Sequence, residues 1–254
     1  MTEALRARLE QLYWDIESRI DPGVVSSQNT YADTIQMYVG PHSRWLDLGC
    51  GRSIFPDWIE GQQELATRPE LIAGIDYSWS SLRQHNSIRK LACGDTAHLP
   101  FRAGAFNLIT ANMVFEHLAD PAQSLREMNR ILEPGGLVIF HTPNLWHFPI
   151  LAASLIPDAI KRKLVLLSEG RAESDIFPTH YRINTRRDIE RFAAAGGFHI
   201  KRLDRVSTSS TGDLLLYGPF LVFALLWRRL LRRESLQDLR SNFIVILQKA
   251  QQAV

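Results

Sequence analysis

Two acidic residues and two glycines in the first third of the chain have the spacing of a nucleotide pocket. Asp47 lies in an apolar run that leads directly into Gly49 and Gly51. Glycines permit positive φ angles and let backbone N–H groups approach a ligand closely. A second apolar run, Leu71–Ile75, ends in Asp76, where a strand would present an acid to a ribose diol. The spacing therefore predicts half of a nucleotide-cofactor site.

These residues and the motifs that follow resemble the class I S-adenosylmethionine-dependent methyltransferases, in particular the bacterial small-molecule and lipid methyltransferases (type 11-like). Asp47–Gly51 is similar to the first motif of that family, and the resemblance implies that Asp76 binds the ribose hydroxyls. Gly94–Thr96, followed by Leu99–Phe101, resembles the segment whose acid, Asp95 in this sequence, contacts the adenine amino group.

Two later motifs extend the resemblance, which is closest over residues 44–144. Phe106–Ile109 with Asn112 resembles the fourth strand and the lip that faces the methyl donor. Leu132–Ile139 resembles the turn and the fifth strand, whereas Ser53 replaces a glycine that is frequent in the family. The resemblance implies S-adenosylmethionine as the cofactor. The implied cofactor-binding residues are Asp47, Gly49, Cys50, Gly51, Asp76, Tyr77, Asp95, Thr96 and Asn112.

The residue pattern by itself predicts strands that alternate with helices. Short apolar runs bounded by Gly, Pro and Asp are typical of strands buried on both faces of a parallel sheet. They occur around Leu46 and at 71–75, 106–110 and 137–141, and a further run at 242–249 resembles the antiparallel last strand of the family. We therefore expect an α/β fold, a doubly wound Rossmann-like seven-stranded sheet with an antiparallel last strand and helical insertions.

Two of the expected helices carry boundary signals. Asp120 and Pro121 supply an N-cap and a proline at the first helical position,. The apolar face of this helix includes Leu132, and Pro134–Gly136 is expected to stop it,. The segment 185–197 predicts a helix that opens with a Thr–Asp capping box and ends at two glycines,.

Length and composition predict a single methyltransferase domain over residues 1–254, because 45% hydrophobic content over this length suffices for one large core,. A helical cap is expected over residues 1–40, where Leu5, Leu9, Leu12 and Ile16 mark an amphipathic helix,. The other expected parts are a cofactor-binding core at 41–144, a lid insertion at 145–183 and a C-terminal half at 184–254, with an apolar helix at 214–233 and the last strand at 242–249.

Charge and cysteine content exclude several classes of protein. The formal net charge of +2 and the lack of a basic, aromatic-studded stripe argue against a nucleic-acid partner,. Two cysteines, Cys50 and Cys93, are too few for a disulfide framework, which fits a reducing cytoplasm,. The first residues lack an apolar secretory core,. We therefore expect a cytoplasmic protein.

Two apolar segments outside the motifs point to the acceptor. The segment 145–179 follows the fifth strand, where insertions of this fold lie over the ligand crevice, so a lid is expected,. The apolar part of 214–233 would span about 21 Å as a helix, too short for a hydrocarbon core of about 30 Å. One interpretation packs this helix on its own domain or on a second copy in a homodimer. The other places it, with its four arginines, at the inner face of the membrane.

Three histidines, His180, His117 and His141, are candidates for the general base that a protonated nucleophile requires,. His180 ranks first, since a similar histidine lies at the active-site rim of relatives. His117 follows Glu116, and a structural role is its alternative. His141 ends the fifth strand and faces either the crevice or a packed helix. In a metal-dependent subset of the family an acid stands where this chain has Met113, so no metal is expected.

Three functions were weighed against these observations. The favoured one is methyl transfer to a small or lipid-linked hydrophobic acceptor. The second is a non-catalytic cofactor-binding or scaffold protein, since the motifs describe the cofactor half of the site and leave the acceptor half open. The third, a nicotinamide dehydrogenase, requires G-x-G-x-x-G after the first strand, and Ile54 stands at the last glycine of that pattern.

Overall fold

The computed structural model describes residues 3–148, 150–151, 178–208 and 221–251. The strands in these ranges are β1 (Arg44–Leu48), β2 (Leu71–Asp76), β3 (Leu91–Cys93), β4 (Phe106–Asn112), β5 (Leu132–Pro143), β6 (Phe198–Val206) and β7 (Asn242–Lys249). The α-helices are α1 (Glu3–Ile20), α2 (Ser27–Tyr38), α3 (Gln62–Leu65), α4 (Trp79–Leu82), α5 (Pro121–Ile131), α6 (Arg186–Ala195) and α7 (Leu221–Leu230). Short 3₁₀ helices cover Phe115–His117 and Glu234–Leu239.

The seven strands of the described residues form one sheet in the order β3-β2-β1-β4-β5-β7-β6. Neighbouring strands from β3 to β5 are parallel, whereas β7 runs antiparallel to both β5 and β6. The strand order reverses between β1 and β4, and ligands of such sheets bind at the carboxyl ends of the strands beside that switch point. The predicted fold class is confirmed.

Alternating side chains of the central strands fill two apolar cores, one on each face of the sheet. Leu46 and Phe140 pack on the face covered by α5 and α6. Trp45 and Ile139, the neighbours of those residues along the strands, pack on the face covered by α2. Because successive residues of a strand point to opposite faces, this alternation decides which helices each residue at the carboxyl edge can contact.

The two predicted helix caps are present. The Asp120 carboxylate accepts the N–H of Gln123 at 3.0 Å at the start of α5. The Thr185 hydroxyl accepts the N–H of Asp188 at 3.1 Å at the start of α6. Each cap satisfies an N–H group that has no partner inside its helix.

The predicted end of α5 is wrong. The helix ends at Ile131, and Leu132, expected on its apolar face, begins β5 by pairing with Phe106. The register of β5 shifts between Phe106 and Leu108 of β4. Pro134–Gly136 therefore forms an irregularity within β5 and does not stop the helix. The pairing of Leu132 with Phe106 across the sheet therefore sets the boundary between α5 and β5.

The helices α1 and α7 pack against each other through an apolar cluster in which Tyr13 contacts Leu221 and Leu225. The apolar face of α1 differs from the predicted one, because Leu12 is 50% exposed whereas Tyr13 is fully buried. α7 is the described part of the predicted helix 214–233, whose first residues lie outside the described ranges, as does most of the predicted lid. Among the described residues, none of the helices has the length and apolar character needed to cross a membrane.

The arginines at the end of α7 do not all face outward, contrary to the membrane interpretation. Arg228 is 7% exposed and donates to Asp21 at 3.0 Å and to Glu17. Arg232 pairs with Asp21 at 2.6 Å, and Arg229 donates to a main-chain carbonyl of α1 at 2.8 Å. These arginines hold α7 onto α1. The acids at the end of α1 pair with them, so anionic lipid is not needed as their partner.

Candidate functional site

The turn after β1 depends on two glycines with positive φ angles, 71° at Gly49 and 53° at Gly51. The N–H groups of Gly49 and Cys50 donate to the carbonyl of Ile75 at 2.7 and 3.1 Å, which ties the turn to β2. A Cβ on Gly49 would lie 2.3 Å from Cγ2 of Val114, whereas a Cβ on Gly51 would meet nothing within 4 Å. The space beside Gly51 is therefore open to a ligand that approaches the backbone.

Asp76 joins the end of β2 to this turn. Its Oδ2 accepts the N–H of Gly51 at 2.9 Å, and its Oδ1 accepts the N–H of Ser78 at 2.7 Å. A carboxylate has about four lone-pair directions, so each oxygen keeps capacity for a further donor. The half-buried carboxylate is thus fixed beside the open space next to Gly51, and its acceptors fit the two hydroxyls of a ribose.

Asp47 lies below the turn and is buried in the sheet. Its Oδ1 accepts the hydroxyl of Thr110 at 2.6 Å, and that hydroxyl accepts the Trp45 indole N–H at 2.7 Å. Burial, together with the negative charge of Asp76, raises the pKa of Asp47 to about 7, although the hydrogen bond from Thr110 acts in the opposite direction. Asp47 therefore braces β1 against β4.

Three of the other residues expected to bind the cofactor lie beyond β2 and β3. Tyr77 is 74% exposed directly after β2. Asp95 is exposed, with one oxygen accepting the N–H of Ala97 at 3.0 Å. The Thr96 hydroxyl lies 3.0 Å from the hydroxyl of Ser124. Asp95 has the exposure that a ligand contact requires, and Thr96 links this segment to α5.

Cys50 contributes its backbone to the turn and its thiol to the core. The residue is 2% exposed, and its Sγ would lie 2.6 Å from a Cβ built on Gly74. Burial raises the pKa of the thiol, so the sulfur is a neutral packing group. Gly74 is required here because no side chain fits between the thiol and β2.

The half-buried Asn112 and the buried His141 form a polar pair on the α2 face of the sheet. The Asn112 amide donates to Gln28 at 2.8 Å, and its Oδ1 lies 2.9 Å from Nδ1 of His141. The His141 ring stacks on Tyr31 with centroids 5.6 Å apart. Burial lowers the pKa of His141 to about 3, so the ring is neutral and its Nδ1 carries the proton. Enclosed in this way, His141 is separated from the other two candidate histidines.

His117 and His180 lie together at the carboxyl edge of β4 and β5. The N–H groups of His180 and Tyr181 both donate to the carbonyl of Glu116, at 2.8 and 3.1 Å. Nδ1 of His117 lies 2.8 Å from the carbonyl oxygen of Pro178. Burial lowers the pKa of His117, the hydrogen bond to the Pro178 carbonyl acts in the opposite direction, and the neighbouring His180 adds to the lowering. His180 itself is exposed.

Glu116, which the sequence marks only as the neighbour of His117, belongs to this cluster. Its side chain is 5% exposed, with Oε1 lying 4.0 Å from Nε2 of His117. Its Oε2 accepts the hydroxyl of Thr142 at 3.1 Å. Burial raises the pKa of Glu116 to about 7. The signal in the sequence is an acid a few residues after the end of an apolar strand, with the apolar residues Val114, Phe115 and Leu118 around it.

Met113 stands where the metal-dependent subset of the family has an acid. Its φ angle is 56°, and its sulfur lies 4.0 Å from the amide nitrogen of Asn242. Across the described ranges, His, Cys, Asp and Glu side chains form no group of three or more that could hold a metal ion.

A family model described as a methyltransferase domain matches residues 26–203, which is more than half of the chain. An uncharacterized methyltransferase of Schizosaccharomyces pombe is 29% identical over 145 residues, covering 53% of this chain and 50% of that protein. A demethylmenaquinone methyltransferase of Staphylococcus haemolyticus is 29% identical over 109 residues, covering 41% of this chain and 44% of that protein. The chain thus matches about half the length of these relatives.

Among solved structures, an S-adenosylmethionine-dependent methyltransferase of Mesorhizobium loti has the same fold, with a TM-score of 0.56 at 18% identity. The superposition covers 86% of this chain and 98% of that one.

Proposed function

Because this chain belongs to the methyltransferase-domain family, we propose that it transfers a methyl group to a small or lipid-linked hydrophobic acceptor. The family match confirms the predicted methyltransferase family, and the seven-stranded sheet confirms the predicted fold. S-adenosylmethionine is the cofactor that we propose for it. The observation that carries the proposal is the turn in which Asp76 is fixed to Gly51 beside open space.

The residues of that turn would hold the cofactor. When bound, S-adenosylmethionine supplies a methyl group on a sulfonium, a leaving group that is already activated, so the chain contributes mainly orientation. Asp76 would accept the ribose hydroxyls, and Gly49 and Gly51 would let the backbone approach. Asp95 would accept the adenine amino group, and Asn112 would border the methyl end.

The acceptor is proposed to enter over the apolar side chains that follow β5. Trp146 is 55% exposed there, and the Phe148 ring contacts Trp227 of α7 with centroids 6.4 Å apart. This contact brings the first residues of the expected lid segment next to α7. One relative acts on demethylmenaquinone by its name, which supports an apolar acceptor.

A histidine at this edge would remove a proton from the acceptor where the nucleophile carries one. His180 and His117 are the candidates, since they adjoin each other at the carboxyl ends of β4 and β5. His141, whose Nδ1 lies 2.9 Å from Asn112, is a weaker candidate because it is 1% exposed and its ring stacks on Tyr31.

We also propose that the protein is cytoplasmic and touches the inner face of the membrane through α7. The outward side of this helix consists of Val222, Phe223 and Leu226, which are 49%, 64% and 51% exposed. Such a face suits the boundary between headgroups and acyl chains. A homodimer that covers the same face is the alternative.

The cofactor assignment is tested by calorimetry of S-adenosylmethionine binding to the wild type and to Asp76→Ala. Loss of a charge-assisted hydrogen bond, about 1.5 to 3 kcal/mol, should weaken binding roughly 10- to 150-fold. Asp57→Ala, an exposed acid in the loop after the turn, is the matched control. Unchanged affinity in Asp76→Ala would refute the assignment, and binding without transfer to any acceptor would favour the scaffold alternative.

The membrane contact is tested by sedimentation with phosphatidylglycerol vesicles. The double variant Phe223→Ser, Leu226→Ser should stay in solution and keep both its melting temperature and its cofactor affinity. Trp58→Ser, at an aromatic residue that is 69% exposed elsewhere, should sediment like the wild type. A wild type that never binds these vesicles rules the contact out.

A further inference from the structure

A small cavity lies on the buried side of α7, at the edge of the sheet where β5 and β6 end and β7 begins. Ala224, Leu225 and Trp227 of α7 line it, and His147 reaches it from the segment after β5. Ala224 and Leu225 are 9% and 1% exposed. The α7 side of the cavity is therefore largely apolar and belongs to the interior of the fold.

Two nitrogen atoms of the cavity lining are buried without a partner. Nε1 of Trp227 and Nδ1 of His147 are shielded from solvent, and neither has a hydrogen-bond partner among the residues that the structure describes. The indole N–H can only donate, so it requires an acceptor atom. A buried donor that stays unpaired costs free energy, and most buried polar groups of native proteins are paired. The cavity therefore offers two polar positions that a bound molecule would satisfy.

The charges around the cavity favour an uncharged ligand. Arg228 also lines it, but its guanidinium donates to the carboxylates of Glu17 and Asp21. Its positive charge is therefore already balanced. Burial lowers the pKa of His147 to about 4, so this ring is neutral near pH 7. A carboxylate or a phosphate group would enter the cavity without a cation to compensate its charge.

The size of the cavity limits the ligand to a small group. Its volume is about 30 Å³, which is room for about two water molecules. One oxygen atom with the carbon that bears it fits this space. We propose that the cavity holds an uncharged oxygen, of a carbonyl or a hydroxyl, at the far end of the hydrophobic acceptor. This inference rests on the proposed methyl transfer and adds to it the group that anchors the acceptor.

Both oxygen groups match the two nitrogens of the cavity. A carbonyl oxygen has two lone pairs, so it can accept from the Trp227 indole and from a His147 ring that carries its proton on Nδ1. A hydroxyl can accept from the indole and donate to the same ring when Nδ1 is unprotonated. A hydrocarbon end would leave both nitrogens unpaired.

The place of the cavity in the sheet sets its distance from the reacting methyl group. Asn112, which would border the methyl end of the cofactor, ends β4, whereas Ser241 of the cavity lining directly precedes β7. β7 is two strands away from β4 in the sheet. Because neighbouring strands are about 4.8 Å apart, the two positions are separated by roughly 10 Å. An acceptor anchored in the cavity would therefore reach the cofactor with the opposite end of its apolar chain.

The first test observes the indole N–H and needs neither cofactor nor turnover. The side-chain ¹⁵N–H resonance of Trp227 is assigned by comparison with Trp227→Phe and is followed as methyl hexyl ketone, octanol or octanoate is added. The ketone, the alcohol or both should shift the resonance, and the effective probe distinguishes a carbonyl from a hydroxyl. Octanoate has an equally long chain with a negative charge and should leave the resonance unchanged.

Two outcomes of this titration would overturn the proposal. One is a shift with octanoate at least as large as with the neutral probes, which would make the cavity an anion site. The other is no shift with either neutral probe, which would mean that water alone occupies the cavity.

The second test orients the ligand relative to the cofactor. Methyl hexyl ketone is added to the protein together with S-adenosylmethionine that carries a ¹³C methyl group, and nuclear Overhauser contacts of the labelled methyl group are recorded. Contacts are expected with the hexyl end of the ketone and not with the methyl next to its carbonyl. The reverse pattern, or a bound ketone without contacts, would refute the anchoring role. Failure of S-adenosylmethionine to bind would instead defeat the proposed function, while the indole titration would be unaffected.

Variants of the two nitrogens separate binding from packing. Trp227→Phe keeps an aromatic ring and removes the N–H, so it should weaken binding of the effective neutral probe roughly 2- to 12-fold, the loss of one neutral hydrogen bond. His147→Leu should lower the affinity by a similar factor, and it keeps the test decisive if Trp227→Phe does not fold. Trp58→Phe, at an aromatic residue that is 69% exposed between β1 and α3, is the matched control. Wild-type affinity in a folded Trp227→Phe or His147→Leu protein would contradict the proposal.

Discussion

The ion pairs between α1 and α7 give the strongest prediction about stability. Arg228 is 7% exposed, while Glu17 and Asp21 are 4% and 1% exposed. The guanidinium donates to both carboxylates and to the carbonyl of Thr208 at 3.2 Å. Arg228→Met keeps most of the apolar stem of the side chain and removes the charge. Two buried carboxylates would then lose the cation that they share, while Asp21 would keep its ion pair with Arg232 at 2.6 Å.

The size of the effect follows from this burial. Removing one partner of a buried ion pair costs about 3 to 5 kcal/mol, because the remaining charge is left without compensation. For a domain of this length, each kcal/mol lowers the melting temperature by about 2 to 4 °C, so a decrease of roughly 6 to 20 °C is expected. Arg233→Met, at an exposed arginine just beyond α7, should stay within about 0.5 kcal/mol of the wild type.

Urea unfolding followed by circular dichroism measures these differences. In the triple variant Arg228→Met, Glu17→Gln, Asp21→Asn the unpaired charges are gone, so part of the lost stability should return. A cost below about 1 kcal/mol for Arg228→Met would refute the reasoning. It would mean that α1 and α7 separate at little expense, or that water reaches the carboxylates once the arginine is removed.

Three further predictions concern the site. Gly49→Ala should weaken cofactor binding and stability more than Gly23→Ala. Both glycines have positive φ angles, but only at Gly49 would a Cβ collide, at 2.3 Å from Val114. Equal melting temperatures of the two variants would contradict this prediction. EDTA should leave turnover unchanged. Turnover that is lost in EDTA and restored by magnesium would contradict this prediction. Because the folded pKa of His141 is about 3, below its ordinary 6.5, the unfolding free energy should decline as pH falls from 6.5 towards 3, and His141→Gln should flatten that slope.

The conformation of the turn between β1 and β2 could be predicted from the sequence because its contacts are local. Gly49 and Gly51 stand next to each other in the chain, and their positive φ angles follow from the residue type,. Asp76 reaches Gly51 because β1 and β2 are adjacent parallel strands, which the apolar pattern already indicated. Ordinary strand and helix rules therefore bring these residues together.

Other features depended on partners that are distant in sequence. Leu132 was assigned to a helix because its spacing fits one, yet its pairing with Phe106 makes it a strand residue. The cluster of four arginines allowed an interpretation in which Arg228 faces lipid, yet its bonds to Glu17 and Asp21 turn it inward. No pattern within a short stretch of sequence indicates that Arg228 will pair with acids about two hundred positions away.

The acceptor half of the site also depends on contacts between segments that are distant in sequence. The sequence could therefore rank the candidate histidines but could not locate them in the fold. The 3₁₀ helix that carries His117 is joined to the segment before α6 by two N–H groups that share the carbonyl of Glu116. That arrangement requires a positive φ angle at Tyr181, and the strand end before it has another at Met113. Neither residue type favours such a backbone. Strain of this kind tends to persist at functional sites where the surrounding contacts enforce it. The conformations of Met113 and Tyr181 therefore support the proposal that the acceptor reacts at the edge of the sheet that carries His117 and His180.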